Sequence, residues 1–83
     1  MPTKEEIAKR TAEIILADVP EMVKGELTPE TNLRTETAID SMGFIYIMSK
    51  LEGEYHAMVP EEEWDSIVTL DDVAAAILRH VKA

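Results

Sequence analysis

The feature that most constrains this chain is the apolar spacing after Asp40-Ser41. Phe44, Ile47, Met48, Leu51 and Tyr55 fall at i, i+3, i+4, i+7 and i+11, the period of one helix face turned toward a core. Asp40 and Ser41 are both good N-cap residues, so the spacing predicts a helix from about Ser41 to Tyr55. That puts the Ser41 hydroxyl at a helix N-terminus, where unpaired backbone N–H groups and the macrodipole favour an anion. From Met42 to Leu51 the only charged residue is Lys50. Met42, Ile45 and Tyr46 are left outside the apolar stripe. Together, next to Ser41, they read as a second apolar face for a partner, since a small bundle leaves part of each helix wet.

The flanking segments supply partners for that stripe. Thr3 with Glu6 reads as a capping box opening a first helix near Lys4. Ile7, Thr11, Ile14, Ile15 and Val19 line its inner face, and Pro20 stops it. Residues 20–39 carry no period of 2 or 3.6 and are punctuated by Pro20, Gly25, Pro29 and Asn32, a long connection pinned by Leu27, Leu33 and Ile39. Pro60 starts a short helix with Glu61, Glu62 and Glu63 in its first turn, read as a solvated acidic turn, and with Trp64 as a core or half-buried residue together with Ile67. Thr69 caps a last helix with Asp71 and Asp72 in the first turn. Leu70, Val73, Ile77 and Val81 form its stripe, and Ala74, Ala75 and Ala76 favour helix. Arg79, His80 and Lys82 sit where positive charge suits the C-terminal end. His80 reads as capping or solvent-exposed. The expected fold is all-α: a small four-helix bundle, three main helices plus one short one, with a long loop between helices one and two. All 83 residues form one domain.

Composition narrows function further. Seventeen acidic residues against eight basic give a net charge of -9, which disfavours nucleic acid and anionic membranes and favours basic partner surfaces. No apolar run approaches the ~20 residues of a membrane span. No signal-type segment follows Met1, so a cytoplasmic monomer is expected. There is no cysteine, so thiol chemistry requires a prosthetic group. Serine catalysis needs a base beside the hydroxyl. His56 lies at the far end of the helix from Ser41, and His80 near the C-terminus. The histidines and carboxylates lack zinc spacing, the glutamate run lacks the alternation and turn glycine of a hard-cation loop, and there is no Gly-rich phosphate loop. The chain is expected to catalyse nothing itself.

Several blocks then point to a family. Asp40-Ser41-Met42 resembles the Asp-Ser-Leu signature of acyl carrier proteins. Leu51-Glu52-Gly53-Glu54-Tyr55 resembles that family's Leu-Glu-Glu-Glu-Phe, Val59-Pro60-Glu61-Glu62-Glu63 its Ile-Pro-Asp-Glu-Glu, and Ile67-Val68-Thr69-Leu70 its Ile-Thr-Thr-Val. The blocks keep the family's spacing from Ser41, and the resemblance covers roughly residues 3–82. It implies helices one and two side by side, joined by a crossing loop. It implies that Ser41 carries 4′-phosphopantetheine, delivered from coenzyme A by a Mg²⁺-dependent phosphopantetheinyl transferase that recognises Asp40, with Met42 completing the site. The arm's thiol would carry acyl or aminoacyl thioesters between loading and transfer enzymes. Gly43 stands where many fatty-acid-pathway members have an acid, and Tyr46 where a partner-facing glutamate is common. The partner face then comprises Met42, Ile45 and Tyr46, with Glu52 and Glu54 further on, and implies a dedicated polyketide, nonribosomal peptide or fatty-acid-like pathway. The alternative from the residues alone is an acidic helical adaptor without a prosthetic group, docking through helix two.

Overall fold

In the computed structural model, which describes residues 1–82, the chain forms α1 (Lys4–Asp18), α2 (Ser41–Tyr55), α3 (Glu61–Trp64) and α4 (Leu70–Arg79). The expected all-α bundle is present. Among the described residues extended pairing is limited to the isolated bridges Val23↔Thr37, Asn32↔Thr69 and Ala57↔Val81. No described helix is long and apolar enough to cross a membrane.

The helix starts follow from their caps. Thr3 Oγ1 accepts from the Glu6 N–H at 3.1 Å. The return bond from the Glu6 carboxylate, which a full capping box requires, is absent among the described residues; Glu6 is exposed, where water competes for it. At α4 the box is complete: Thr69 Oγ1 accepts from the Asp72 N–H at 3.0 Å, and Asp72 Oδ2 accepts from the N–H groups of Val68 and Thr69 at 2.9 and 3.0 Å. α1 ends at Asp18 with Val19 as C-cap, and Pro20 opens a single 3-10 turn, Pro20–Met22.

The core is built from Ile7, Ile14 and Ile15 of α1, Ile47, Met48 and Leu51 of α2, and Leu70, Val73 and Ile77 of α4, all buried. Thr11 sits within it and donates its hydroxyl to the Ile7 carbonyl at 2.7 Å, which satisfies a buried polar group. α1 lies beside α2, as expected, tied to it by Arg10–Glu54 and by Tyr46 and Lys50 on Asp18, and it packs still more extensively against α4. Ala74 and Ala76 are fully buried. Their small size lets α4 lie close against the rest of the core, a packing role beyond helix propensity.

The long connection is ordered by backbone bonds to the start of α4. Leu33 N–H donates to the Val68 carbonyl at 2.8 Å, Leu70 N–H to the Thr31 carbonyl at 3.1 Å, and Asp71 N–H to the Pro29 carbonyl at 2.8 Å. The loop therefore supplies acceptors to first-turn N–H groups that a helix leaves unpaired. Leu33 is buried as expected, and Leu27 and Ile39 pack against the core. Thr31 and Thr37 are buried as well; Thr37 Oγ1 donates to the Leu33 carbonyl at 2.6 Å and accepts from the Ile39 N–H at 3.2 Å. These threonines have no periodic signature.

α2 ends at Tyr55 with His56 as its C-cap, whose φ of 53° is left-handed. Its carbonyl accepts from the Lys82 N–H at 3.0 Å, so the end of α2 is clipped to the chain beyond α4. α3 is one turn. Glu61 and Glu62 are exposed, but Glu63 is not solvated as expected: it pairs with Arg79 Nη2 at 2.9 Å and His80 Nε2 at 2.7 Å. His80 is the C-cap of α4 and half-buried through that contact. Arg79 and His80 hold the Glu63 carboxyl below its usual range.

Candidate functional site

Asp40 and Ser41 divide the work at the head of α2. Asp40 has extended backbone and is the N-cap: its Oδ1 accepts from the Gly43 N–H at 2.8 Å, and its carbonyl accepts from the Phe44 N–H at 2.9 Å. Ser41 is the first helical residue and is exposed, and its hydroxyl has no partner among the described residues. The hydroxyl is therefore free of any capping duty. Gly43 is buried in this first turn. An added Cβ there would lie 3.2 Å from Met22 Sδ and 3.3 Å from Ile39 Cγ2, so the glycine lets the 3-10 turn close against α2.

Beside Ser41 an open groove of about 700 Å³ runs between α2, α3 and the long loop. Ile39, Phe44, Ile45 and Trp64 give it apolar walls, and Arg34 and Asp65 stand among its polar groups. Phe44 and Trp64 meet edge to face, with centroids 5.7 Å apart at 73°. Trp64 Nε1 donates to the Val59 carbonyl at 3.2 Å, which orients the indole. Trp64 is half-buried and Ile67 buried, as the sequence suggested.

No base addresses Ser41. His56 lies beyond the other end of α2, whose span from Ser41 to Tyr55 is about 21 Å at the helical rise of ~1.5 Å per residue, and His80 is engaged by Glu63. Among the described residues no group of His, Cys, Asp or Glu could hold a metal ion.

The outward side of α2 is apolar near Ser41. Met42, Ile45 and Tyr46 are 77%, 46% and 44% exposed. Tyr46 is not a free side chain, however. Its hydroxyl donates to Asp18 Oδ2 at 2.7 Å, and Lys50 Nζ reaches the same oxygen at 2.7 Å while lying 5.8 Å from the Tyr46 ring centroid. Lys50 first, then Tyr46, holds the Asp18 carboxyl below its usual value; Asp18 in turn raises Lys50. Further along, Arg10 grips Glu54 through Nε at 2.7 Å and Nη2 at 2.8 Å. The bonded Arg10 lowers the Glu54 carboxyl, and Glu54 raises Arg10. Glu52 Oε2 accepts from the Val59 N–H at 2.7 Å. Both acids named from the sequence as partner contacts thus have partners inside the chain. Arg10, Asp18 and Arg34 carry no sequence motif; their spacing to Glu54, Tyr46 and Trp64 becomes visible only in three dimensions.

The arrangement fits a phosphodiester-linked arm. An accessible primary hydroxyl without a structural task stands at a helix start, and a groove leads away from it. Residues 12–77 match the family described as "Phosphopantetheine attachment site". The chain is 29% identical over 80 residues to an acyl carrier protein of Rubrobacter xylanophilus, covering 96% of this chain and 98% of that one. It is 31% identical over 78 residues to an acyl carrier protein of Lactobacillus acidophilus, covering 94% and 96%. It is 35% identical over 75 residues to a meromycolate extension acyl carrier protein of Mycobacterium tuberculosis, covering 90% of this chain and 64% of that longer protein. The chain belongs to the acyl carrier protein family. It is a carrier and not an enzyme, and its domain is of the kind that receives 4′-phosphopantetheine covalently. Proteins of this family work with a phosphopantetheinyl transferase and with biosynthetic enzymes.

Proposed function

We propose that Ser41 is the residue that carries the arm, and that the chain serves a dedicated cytoplasmic acyl-transfer pathway of fatty-acid-like, polyketide or nonribosomal peptide type. The observation that carries this reading is the exposed, unbonded Ser41 hydroxyl beside a cap that Asp40 makes alone. When attached, the arm supplies a terminal thiol that holds acyl or aminoacyl groups as thioesters. The chain's own part is to present and orient. Asp40 fixes the first turn of α2, the unpaired N–H groups of that turn favour a phosphodiester charge next to Ser41, and the groove offers the arm a wall on one side. The name of the mycobacterial relatives, meromycolate extension, favours the fatty-acid-like branch.

Partner enzymes read α2 through Met42, Ile45 and the Tyr46 ring rather than through acids. Glu52 and Glu54, though on the same helix, are engaged by Val59 and Arg10, so their carboxylates contribute less to docking. Incubation with coenzyme A, Mg²⁺ and a broad-specificity transferase is the test of Ser41. Intact mass should gain one phosphopantetheine on the wild type and none on Ser41→Ala, with Ser41→Ala folded because Asp40 keeps the cap. An unmodified wild type would favour the adaptor reading without a prosthetic group. A modified Ser41→Ala would move the site elsewhere.

A further inference from the structure

Met42 stands where the family signature has leucine. Both side chains are apolar and of similar volume, so packing hardly separates them. Chemistry does: a thioether takes up oxygen, and a leucine side chain does not. The chain has five methionines. Met48 is fully buried in the core, and Met22 is half-buried with its Sδ close against Gly43. Met1, Met42 and Met58 are exposed. Met1 opens the chain, and Met58 follows the far end of α2. Of the described residues, Met42 alone places an open thioether in the turn that carries Ser41.

Oxidation there changes the surface in one respect. With hydrogen peroxide or an organic hydroperoxide, a sulfur lone pair attacks the hydroxyl oxygen. The S–O bond forms as the O–O bond breaks, and the hydroxyl proton passes to the departing oxygen, which leaves as water or an alcohol. Sulfur is oxidised by two electrons and the peroxide is reduced by two. The sulfoxide is neutral, so the net charge of -9 is kept, but it is polar and a strong hydrogen-bond acceptor. It lies one turn from the exposed Ile45 and Tyr46, at i+3 and i+4 on the apolar face. The fold is insulated from the change. Met42 belongs neither to the core nor to the side chains packed against it, and Asp40 makes the cap. An enzyme that draws the Ser41 hydroxyl into its active site must cover the residue beside it. Covering a sulfoxide oxygen without supplying a donor carries a desolvation cost that a thioether does not.

We propose that Met42 is a redox-sensitive modification site, and that peroxide oxidation of its thioether slows installation of the arm on Ser41 without unfolding the chain. The proposal rests on Ser41 as the attachment point. The block is reversible in kind: thiol-dependent reductases return a methionine sulfoxide to the thioether, the oxygen leaving as water while two thiols become a disulfide.

The experiment uses the full apo chain, which has no cysteine to compete for peroxide. Wild type, Met42→Leu and Met58→Leu are treated with limiting hydrogen peroxide, catalase removes the excess, and peptide mapping locates each added oxygen. The probe is a broad-specificity phosphopantetheinyl transferase with coenzyme A and Mg²⁺, and the readout is kcat/KM of the oxidised form against the reduced form of the same variant. In wild type, Met42 should oxidise ahead of Met22 and Met48, and kcat/KM should fall about fivefold or more, mainly through KM, at low and high salt alike. Met58→Leu should fall as wild type does. Met42→Leu should keep its own reduced value, whatever that value is. Helical content and melting temperature of oxidised wild type should stay near those of the reduced chain. A smaller fall with Met42 verified as sulfoxide, an equal fall in Met42→Leu, a Met42 that resists oxidation, or a loss explained by unfolding each overturns the proposal and leaves Ser41 standing. A reduced wild type that gains no phosphopantetheine at Ser41 removes the attachment reading itself, and the proposal with it.

Discussion

The two flanks of α2 are built in opposite ways. On the flank facing α1, Tyr46, Lys50 and Glu54 follow one another at i, i+4 and i+8, and each is tied to a residue of α1. Asp18 takes the first two and Arg10 the third, so later residues of one helix meet earlier residues of the other and the helices run antiparallel. On the flank facing α3, Ser41, Phe44 and Ile45 border a groove that the chain leaves open. The polar seam fixes the rotation of α2 from one side. The other side is thereby free to expose an unbonded hydroxyl and apolar walls without the helix rolling to bury them. Exposed ion pairs are individually weak, so the value of this seam lies in orientation more than in stability.

The contrast can be broken first at its foundation. Ile47→Ala or Leu51→Ala, under both flanks, should destabilise the fold by about 2–5 kcal/mol, read by chemical denaturation; a cost below ~1 kcal/mol would mean the buried stripe does not hold α2. Next comes the open flank. Ile45→Ala should weaken transfer to the cognate enzyme by about fivefold or more, some 1 kcal/mol, with melting temperature nearly unchanged and the loss persisting at high salt. Glu54→Gln should weaken transfer less than Ile45→Ala and lower the melting temperature more. The reverse order would return recognition to charge. Tyr46→Phe separates the two roles of one side chain: it keeps the ring, so transfer should hold, while removal of the Asp18 bond should slightly lower the melting temperature.

Acid should open the seam before the core. Asp18, Glu54, Glu63 and Asp72 all titrate below their ordinary values of 3.8 and 4.5 in the folded chain. Lys50, Arg10, Arg79 and the backbone N–H of Thr69 respectively are the leading causes. A carboxyl depressed on folding adds stability that is fully present above its unfolded value and disappears as pH falls through the folded one. Melting temperature should therefore drop below about pH 4, and drop less in the double variant Asp18→Asn, Glu54→Gln; equal drops would take the seam out of the acid response. The smallest expected effect is that of salt. Self-repulsion at net charge -9 should be screened by added NaCl and raise the melting temperature modestly, because the same screening weakens Lys4–Asp71, Lys50–Asp18 and Arg79–Glu63. A flat or falling curve would mean the pairs outweigh the repulsion.

What could be read from the sequence was local. The stripe from Phe44 to Tyr55, the Asp40 cap and the exposure of Met42 and Ile45 depend on spacing along one helix, and period and cap chemistry report them directly. What escaped were links between distant segments. Arg10–Glu54, Tyr46–Asp18 and Arg34–Trp64 join residues 44, 28 and 30 positions apart, and nothing in a helical period encodes the partner. Glu63 belongs with them: an acid in a first turn is adequately explained by the dipole, and only the fold brings Arg79 and His80 beside it. Ala74 and Ala76 show the opposite error, residues with a sufficient local explanation that also fill the core.

Trp64 is the only tryptophan of the chain. Its indole forms a wall of the groove, edge to face with Phe44. Excited at the red edge of the protein band, where the two tyrosines absorb little, all emitted light comes from that wall. The molecule therefore carries its own optical gauge. Anything that enters the groove, leaves it, or draws α3 aside will change the colour or lifetime of a single fluorophore, with no dye attached.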